Sequence, residues 1–294
     1  MALIPLTILV PLLAAGVLTA ARPVSNRAFA DVVALGASLA VLVFCAILTQ
    51  RAAHHELVYW FGGWHPHHGV ALGISFAFGS LDAGFATFCA ALMVAALVFS
   101  WRFMEGVNVL FHVVLLVFLA AMVGFCLSGD LFNMFVFFEL MGAAAFVLAG
   151  FLIEKRAPLE GSLNFAVTNS IGGILVLLGI SVLYGRTGAL NLAQIGVALD
   201  HGRLDGLVVV AFTLIVCGFM VKAAIVPFHF WLADAYAVAP TPVCILFAGA
   251  MSELGLLGIA RVYWTVFHGT LGAHDAELRA VLVAVGLLTG VLGA

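Results

Sequence analysis

The chain has 294 residues with 11 Lys and Arg against 14 Asp and Glu, a formal net charge of −3, and it is 65% hydrophobic with only 9% charged. With a mean hydropathy of +1.25, it is more apolar than a soluble core of this length requires, so the composition describes a polytopic helical membrane protein. No basic run argues for nucleic acid, and the 5 cysteines (45, 89, 126, 217 and 244) lie in apolar segments without C-x-x-C spacing, which excludes a disulfide frame or a cysteine metal site.

A spanning helix needs about 20 mostly apolar residues. Eight stretches qualify, near 2–21, 28–50, 79–101, 107–128, 131–153, 162–185, 206–231 and 241–264, and a ninth starts around Ala280 and is still apolar at Ala294. The expected fold is all-α, with 8–9 transmembrane helices. The first stretch lacks a charged leading region and reads as a retained helix. An apolar ending at membrane depth predicts that the chain is incomplete or that a partner covers its end.

The loops divide into two sets. One is short and dense in positive charge (Arg22 and Arg27, Arg102, Lys155 and Arg156), and the other spreads Arg51, Arg186, Arg203, Arg261 and Arg279 over longer loops with acids among them. The positive-inside rule then places the short set in the cytoplasm and the N-terminus outside. In the long loop 51–78, alternation at Val70, Leu72, Ile74 and Phe76 predicts a short external hairpin. The His65, His67 and His68 cluster reads as an exposed turn near the aromatic belt, since no carboxylate or cysteine joins it as a metal ligand.

Ionisable residues at membrane depth carry the functional reading. Glu139 lies nine residues past Asp130, about 13 Å along its helix. Lys222 sits in the apolar stretch 207–232, at comparable depth on another helix. Translocon scales put a central lysine at roughly 2.5–3.5 kcal/mol against insertion. Pro227 follows five residues later and removes a backbone hydrogen bond, at about 3 kcal/mol. The break predicts freed carbonyls that could hold water or an ion. Glu253, near the middle of the eighth stretch, completes an acid–base–acid set on three helices, able to pass protons where water joins the gaps. His229, seven residues after Lys222, reads equally as an onward relay and as a cap of the broken segment. His112 reads as a packing histidine. Asn164, Thr168, Asn169 and Ser170 form a polar stretch that lines a wet path or joins helices, and the sequence leaves that open. Asp31, Asp82 and Asp130 fall near span ends, and Asp130 reads as an N-cap.

Ser128-Gly129-Asp130-Leu131-Phe132-Asn133 with Phe137-Phe138-Glu139 resembles the fifth transmembrane helix of the antiporter-like subunits. These are the D-type subunits of Mrp cation/proton antiporters, the proton-pumping membrane subunits of respiratory complex I and their relatives in membrane-bound hydrogenases. Lys222 to Leu232, followed by Ala239-Pro240-Thr241-Pro242-Val243, is similar to the family's broken seventh helix and the loop into the eighth. The resemblance covers the first part of the family's usual length. It implies that this chain holds the first of two inverted repeats, with the second absent. It also implies a division into N-terminal helices with the external loop (1–127) and a proton-translocation domain (128–294).

By the same resemblance, Glu139 and Lys222 would move protons through a half-channel, with Glu253 and His229 as relays. The family commonly carries a basic residue where this chain has Glu253, a difference that would alter the lateral relay or its ion preference. The implied partners are other membrane subunits of one complex, the lipid bilayer, protons and Na+ as an exchanged ion, in the cell's inner (plasma) membrane. Neither cofactor nor metal is expected, and no haem, flavin or iron–sulfur pattern is present. One alternative is a non-pumping structural subunit whose buried ion pair only sets helix packing. A second is an independent transporter of a small solute, which the single broken helix disfavours.

Overall fold

The computed structural model describes residues 3–23, 26–68, 70–103, 109–152, 154, 156–201 and 205–293, without the side chains of Arg102 and Phe103. Lys155, Arg203 and the Arg102 side chain, all used to orient the chain, lie outside what is described, as does Ala294. The expected spans appear as α1 (Leu3–Ala21), α2 (Arg27–Ala52), α3 (Ser80–Phe103), α4 (Val109–Leu127), α5 (Leu131–Ala149) and α6 (Arg156–Thr187). They are followed by α7 (Leu192–Asp200), α8 (Gly206–Lys222) and α9 (Phe230–Val238). A helical run from Thr241 to Gly293 closes the chain as α10 (Thr241–Leu246), α11 (Ser252–Val262), α12 (His268–Leu271) and α13 (Asp275–Gly293). That run carries the eighth and ninth expected spans, with a 3-10 turn at Gly272–His274 between α12 and α13. Among the described residues, 7 helical runs are long and apolar enough to cross a membrane, beside the shorter apolar Gly206–Lys222.

Side-chain caps fix several helix starts. Asn26, Asp130, Asn191 and Asp205 accept the backbone N–H of Phe29, Asn133, Gln194 and Val208, respectively, three residues on in each case. Helix α4 is buried along nearly its whole length and packs against α1, α3 and α5. Inside a bilayer apolar surface gains little from association, so close approach through small residues does that work. Gly172 and Gly179 on α6 meet Gly218 and Ala211 on α8 in this way. A Cβ on Gly172 would lie 3.2 Å from the Gly218 carbonyl, and one on Gly179 2.9 Å from the Ala211 carbonyl.

Three features differ from the sequence expectation. The hairpin forms, but its strands are β1 (Leu57–Trp60) and β2 (Ser75–Phe78), antiparallel with Leu57 opposite Phe78. Val70, Leu72 and Ile74 are all exposed, so their alternation has no face to bury, whereas Phe76 and Phe78 are buried and set the register. Second, the stretch between the sixth and seventh spans contains α7, which Asn191 caps and whose Leu192, Ile195 and Leu199 are buried. Third, Arg261 is not a loop charge. It sits in α11 with its side chain almost fully buried, donating to the carbonyls of Cys126 (2.5 Å) and Ala77 and facing Asp82 at 3.7 Å.

Candidate functional site

Helix α8 ends at Lys222, five residues before the proline. The turn is a Schellman motif: Ala224 adopts the left-handed conformation (φ +52°), its N–H donates to Val221 O at 3.2 Å, and Ile225 N–H donates to Met220 O at 3.1 Å. Pro227, after a cis Val226–Pro227 bond, cannot continue the helix, and the chain re-enters helix only at Phe230. Trp231 donates its indole N–H to Val221 O (2.9 Å) while stacking on Phe165, with ring centroids 4.4 Å apart. The carbonyls of Phe219, Met220 and Val221 are therefore each met by a backbone or indole N–H.

A helical side chain leans toward its own N-terminus, and Lys222 runs back between α5 and α6. It is 1% exposed. Its Nζ donates to Asn169 Oδ1 at 2.5 Å and to Phe138 O at 3.4 Å, and it lies 4.2 Å from the centre of the Phe138 ring. Gly142 on α5 makes the room: a Cβ there would overlap the Asn169 amide nitrogen and lie 3.2 Å from Lys222 Nζ.

Glu139, the residue after Phe138, stands at the same level, half-buried against α6. Its Oε1 is buried without a hydrogen-bond partner and faces Gly173, where a Cβ would overlap it. Among the ion pairs of the described residues, none joins Glu139 to Lys222 within 4.0 Å. The two residues are neighbours, with the ammonium bound to an amide oxygen instead of the carboxylate.

Glu253 follows a π-helical turn (Phe247–Met251) and is exposed on α11. His229 is also exposed, at the start of α9, and makes no side-chain cap bond there. The polar stretch on α6 divides. Thr168 and Asn169 are buried, Ser170 is exposed, and Asn164 donates to Asp234 of α9 at 3.1 Å.

Asn169 is the site residue that sequence reasoning left unassigned. Its signal was present as one amide amid apolar helix, but which neighbour it meets depends on how α6 and α8 cross. A second buried set was also missed. His112 Nε2 lies 2.7 Å from Asp31 Oδ1, Arg27 lies 3.5 Å from Asp31, and Arg27 donates to Trp101 O at 2.6 Å, tying α2, α3 and α4 together at one end.

An all-helical membrane bundle, broken beside a buried lysine and carrying a glutamate at the same level, defines a class of polytopic protein with ionisable groups inside the membrane. Residues 128–294 match the family described as NADH:quinone oxidoreductase/Mrp antiporter, TM. The chain belongs to that family. It is 31% identical over 264 residues to NADH-quinone oxidoreductase subunit N of Desulforudis audaxviator, covering 87% of this chain and 51% of that protein. It is 32% identical over 303 residues to the D-type subunit of a probable K(+)/H(+) antiporter of Rhizobium meliloti, covering 99% of this chain and 54% of that protein. A chain in the structure of the Mrp complex from Dietzia sp. superposes with a TM-score of 0.86 at 27% identity, covering 100% of this chain and 54% of that one. The chain thus spans about half the length of these relatives. Family, fold and apolar helices together make it a multi-pass membrane protein.

Proposed function

We propose that this chain is a proton-translocating subunit of a multisubunit membrane complex, with Lys222 and Glu139 as the groups that bind and release the proton. One observation carries the reading: a buried ammonium beside a carboxylate oxygen that nothing satisfies. A structural ion pair would be closed, because a charge left unpaired at low dielectric is costly. Here the lysine is held by neutral acceptors and the acid stands open, an arrangement in which a proton or a small swing of the lysine changes the charge balance.

Family membership supports the ion-transport reading, and relatives named as antiporter and NADH-quinone oxidoreductase subunits support two ways of driving it. One is exchange for a monovalent cation such as Na+, and the other is electron transfer elsewhere in the complex. The superposition on a chain of the Mrp complex supports assembly with other membrane subunits, in the inner (plasma) membrane. We take 128–294 as the translocation domain and 1–127 as its supporting helices. Glu253 and His229 serve as outer relay steps and, being exposed, need water or a partner surface to connect them to Lys222.

In membrane vesicles carrying the assembled complex, Lys222→Ala and Glu139→Ala are each expected to abolish cation-driven proton flux, read by quenching of a pH-sensitive dye, with the subunit still present in the complex. Wild-type flux in either variant would end the proposal. Glu253→Ala and His229→Ala are expected to slow the same flux several-fold without abolishing it.

A further inference from the structure

The buried Lys222 ammonium is met by an amide of α6 and not by the Glu139 carboxylate. Asn169 is 3% exposed on α6, and its Oδ1 lies closer to Lys222 Nζ than any other acceptor at hydrogen-bond distance. Two further features are built around this contact. Gly142 leaves the space that the Asn169 amide occupies beside the Lys222 ammonium, since a Cβ there would overlap the amide nitrogen and lie 3.2 Å from Nζ. Gly173, one turn along α6 from Asn169, leaves space for the Glu139 carboxylate at a second position. The α5–α6 seam thus has two recesses, one holding the ammonium on a neutral oxygen and one holding the carboxylate by itself.

We infer that Asn169 is the positioning residue that holds the Lys222 ammonium away from Glu139 and thereby sets the pH at which this site exchanges its proton. The inference rests on the proton-translocating reading of the site. The chemistry follows from the acceptor. An amide oxygen accepts a hydrogen bond from an ammonium without cancelling its charge, so the proton is retained but can still be released. A carboxylate in its place would favour the charged lysine strongly. Among the described residues, no other charged group makes a hydrogen bond or ion pair to Lys222 Nζ. Glu139 on α5 is beyond ion-pair distance, Asp234 on α9 is engaged by Asn164, and Glu253 on α11 is exposed.

The test is the pH profile of cation-driven proton flux in vesicles containing the whole complex. Asn169→Asp puts a carboxylate against Nζ, so the lysine keeps its proton to higher pH, and the midpoint should rise by about one unit or more. Asn169→Gln keeps the amide and should hold the wild-type midpoint to within a few tenths. An unshifted midpoint in Asn169→Asp, or an equal shift in Asn169→Gln, overturns the inference. Should the Asp variant fail to accumulate in the membrane, Asn169→Ser is measured instead. Its shorter side chain withdraws the acceptor and disfavours the ammonium, so the midpoint should fall, and an unchanged or raised midpoint overturns the inference. Flux that survives Lys222→Ala would remove the underlying functional reading, whereas an inert Asn169 with a dead Lys222→Ala removes only this one.

Discussion

At the residue scale, Lys222 is held by geometry that its own helix could not supply. Its cation meets an amide from α6, and a carbonyl and a ring from α5, while the backbone it leaves behind is closed by Ala224 and Trp231. Trp231 separates two contributions to that closure. Trp231→Phe keeps an aromatic on Phe165 but loses the bond to Val221 O, and should cost about 1 kcal/mol. Trp231→Ala loses the packing as well and should cost about 3–5 kcal/mol. Thermal unfolding in detergent reads both, and equal losses would show that the indole N–H, not the stack, dominates. Lys222 and Glu139 were legible in the sequence because a charge stands out against apolar helix. Asn169 was visible only as one polar residue among four, since its partner is fixed by a helix crossing that one-dimensional spacing does not report.

At the scale of elements, the break and the crossing work together. The sequence marked the break by Pro227, but the helix already ends at Lys222, because the Schellman turn needs its residues ahead of the proline. The crossing of α6 on α8 depends on glycines at the contact, so Gly218→Val drives a branched side chain into Val176 and the Gly172 carbonyl. Overpacking of this kind costs about 1–3 kcal/mol. The expected result is a lower unfolding temperature together with reduced flux, because Asn169 and Lys222 lose their register. Unchanged stability in Gly218→Val would show that the two backbones do not approach closely. The π-helical turns at Phe247–Met251 and Tyr263–Phe267 had no sequence signal, since inserting one residue into a helical turn leaves the apolar pattern almost unchanged.

At the scale of the whole molecule, the spans were legible from apolar length alone, and so was the presence of a hairpin in the long loop 51–78. Its attachment was not. The hairpin docks through Ser75 O, which accepts Gly129 N–H at 2.9 Å, and through Arg261, which joins β2, α3, α4 and α11 at that end. Arg261→Met leaves Asp82 without its cation and should destabilise the bundle by about 3–5 kcal/mol, as removal of one member of a buried pair does. The positive-inside reading of the loop charges predicts that this end lies outside the cell. A cysteine at the exposed His67 should accordingly react with a membrane-impermeant maleimide added to intact cells, and reaction only from the cytoplasmic side would invert the assigned orientation.

Whether the lysine and glutamate carry protons or only pack helices is decided by cation-driven proton flux in vesicles with the double variant Lys222→Met, Glu139→Gln. That pair of changes keeps side-chain volume and removes both charges. If the two residues are proton carriers, the complex assembles, unfolds at or above the wild-type temperature and carries no coupled flux. Wild-type flux with altered thermal stability alone would contradict that role and leave the two residues a structural one.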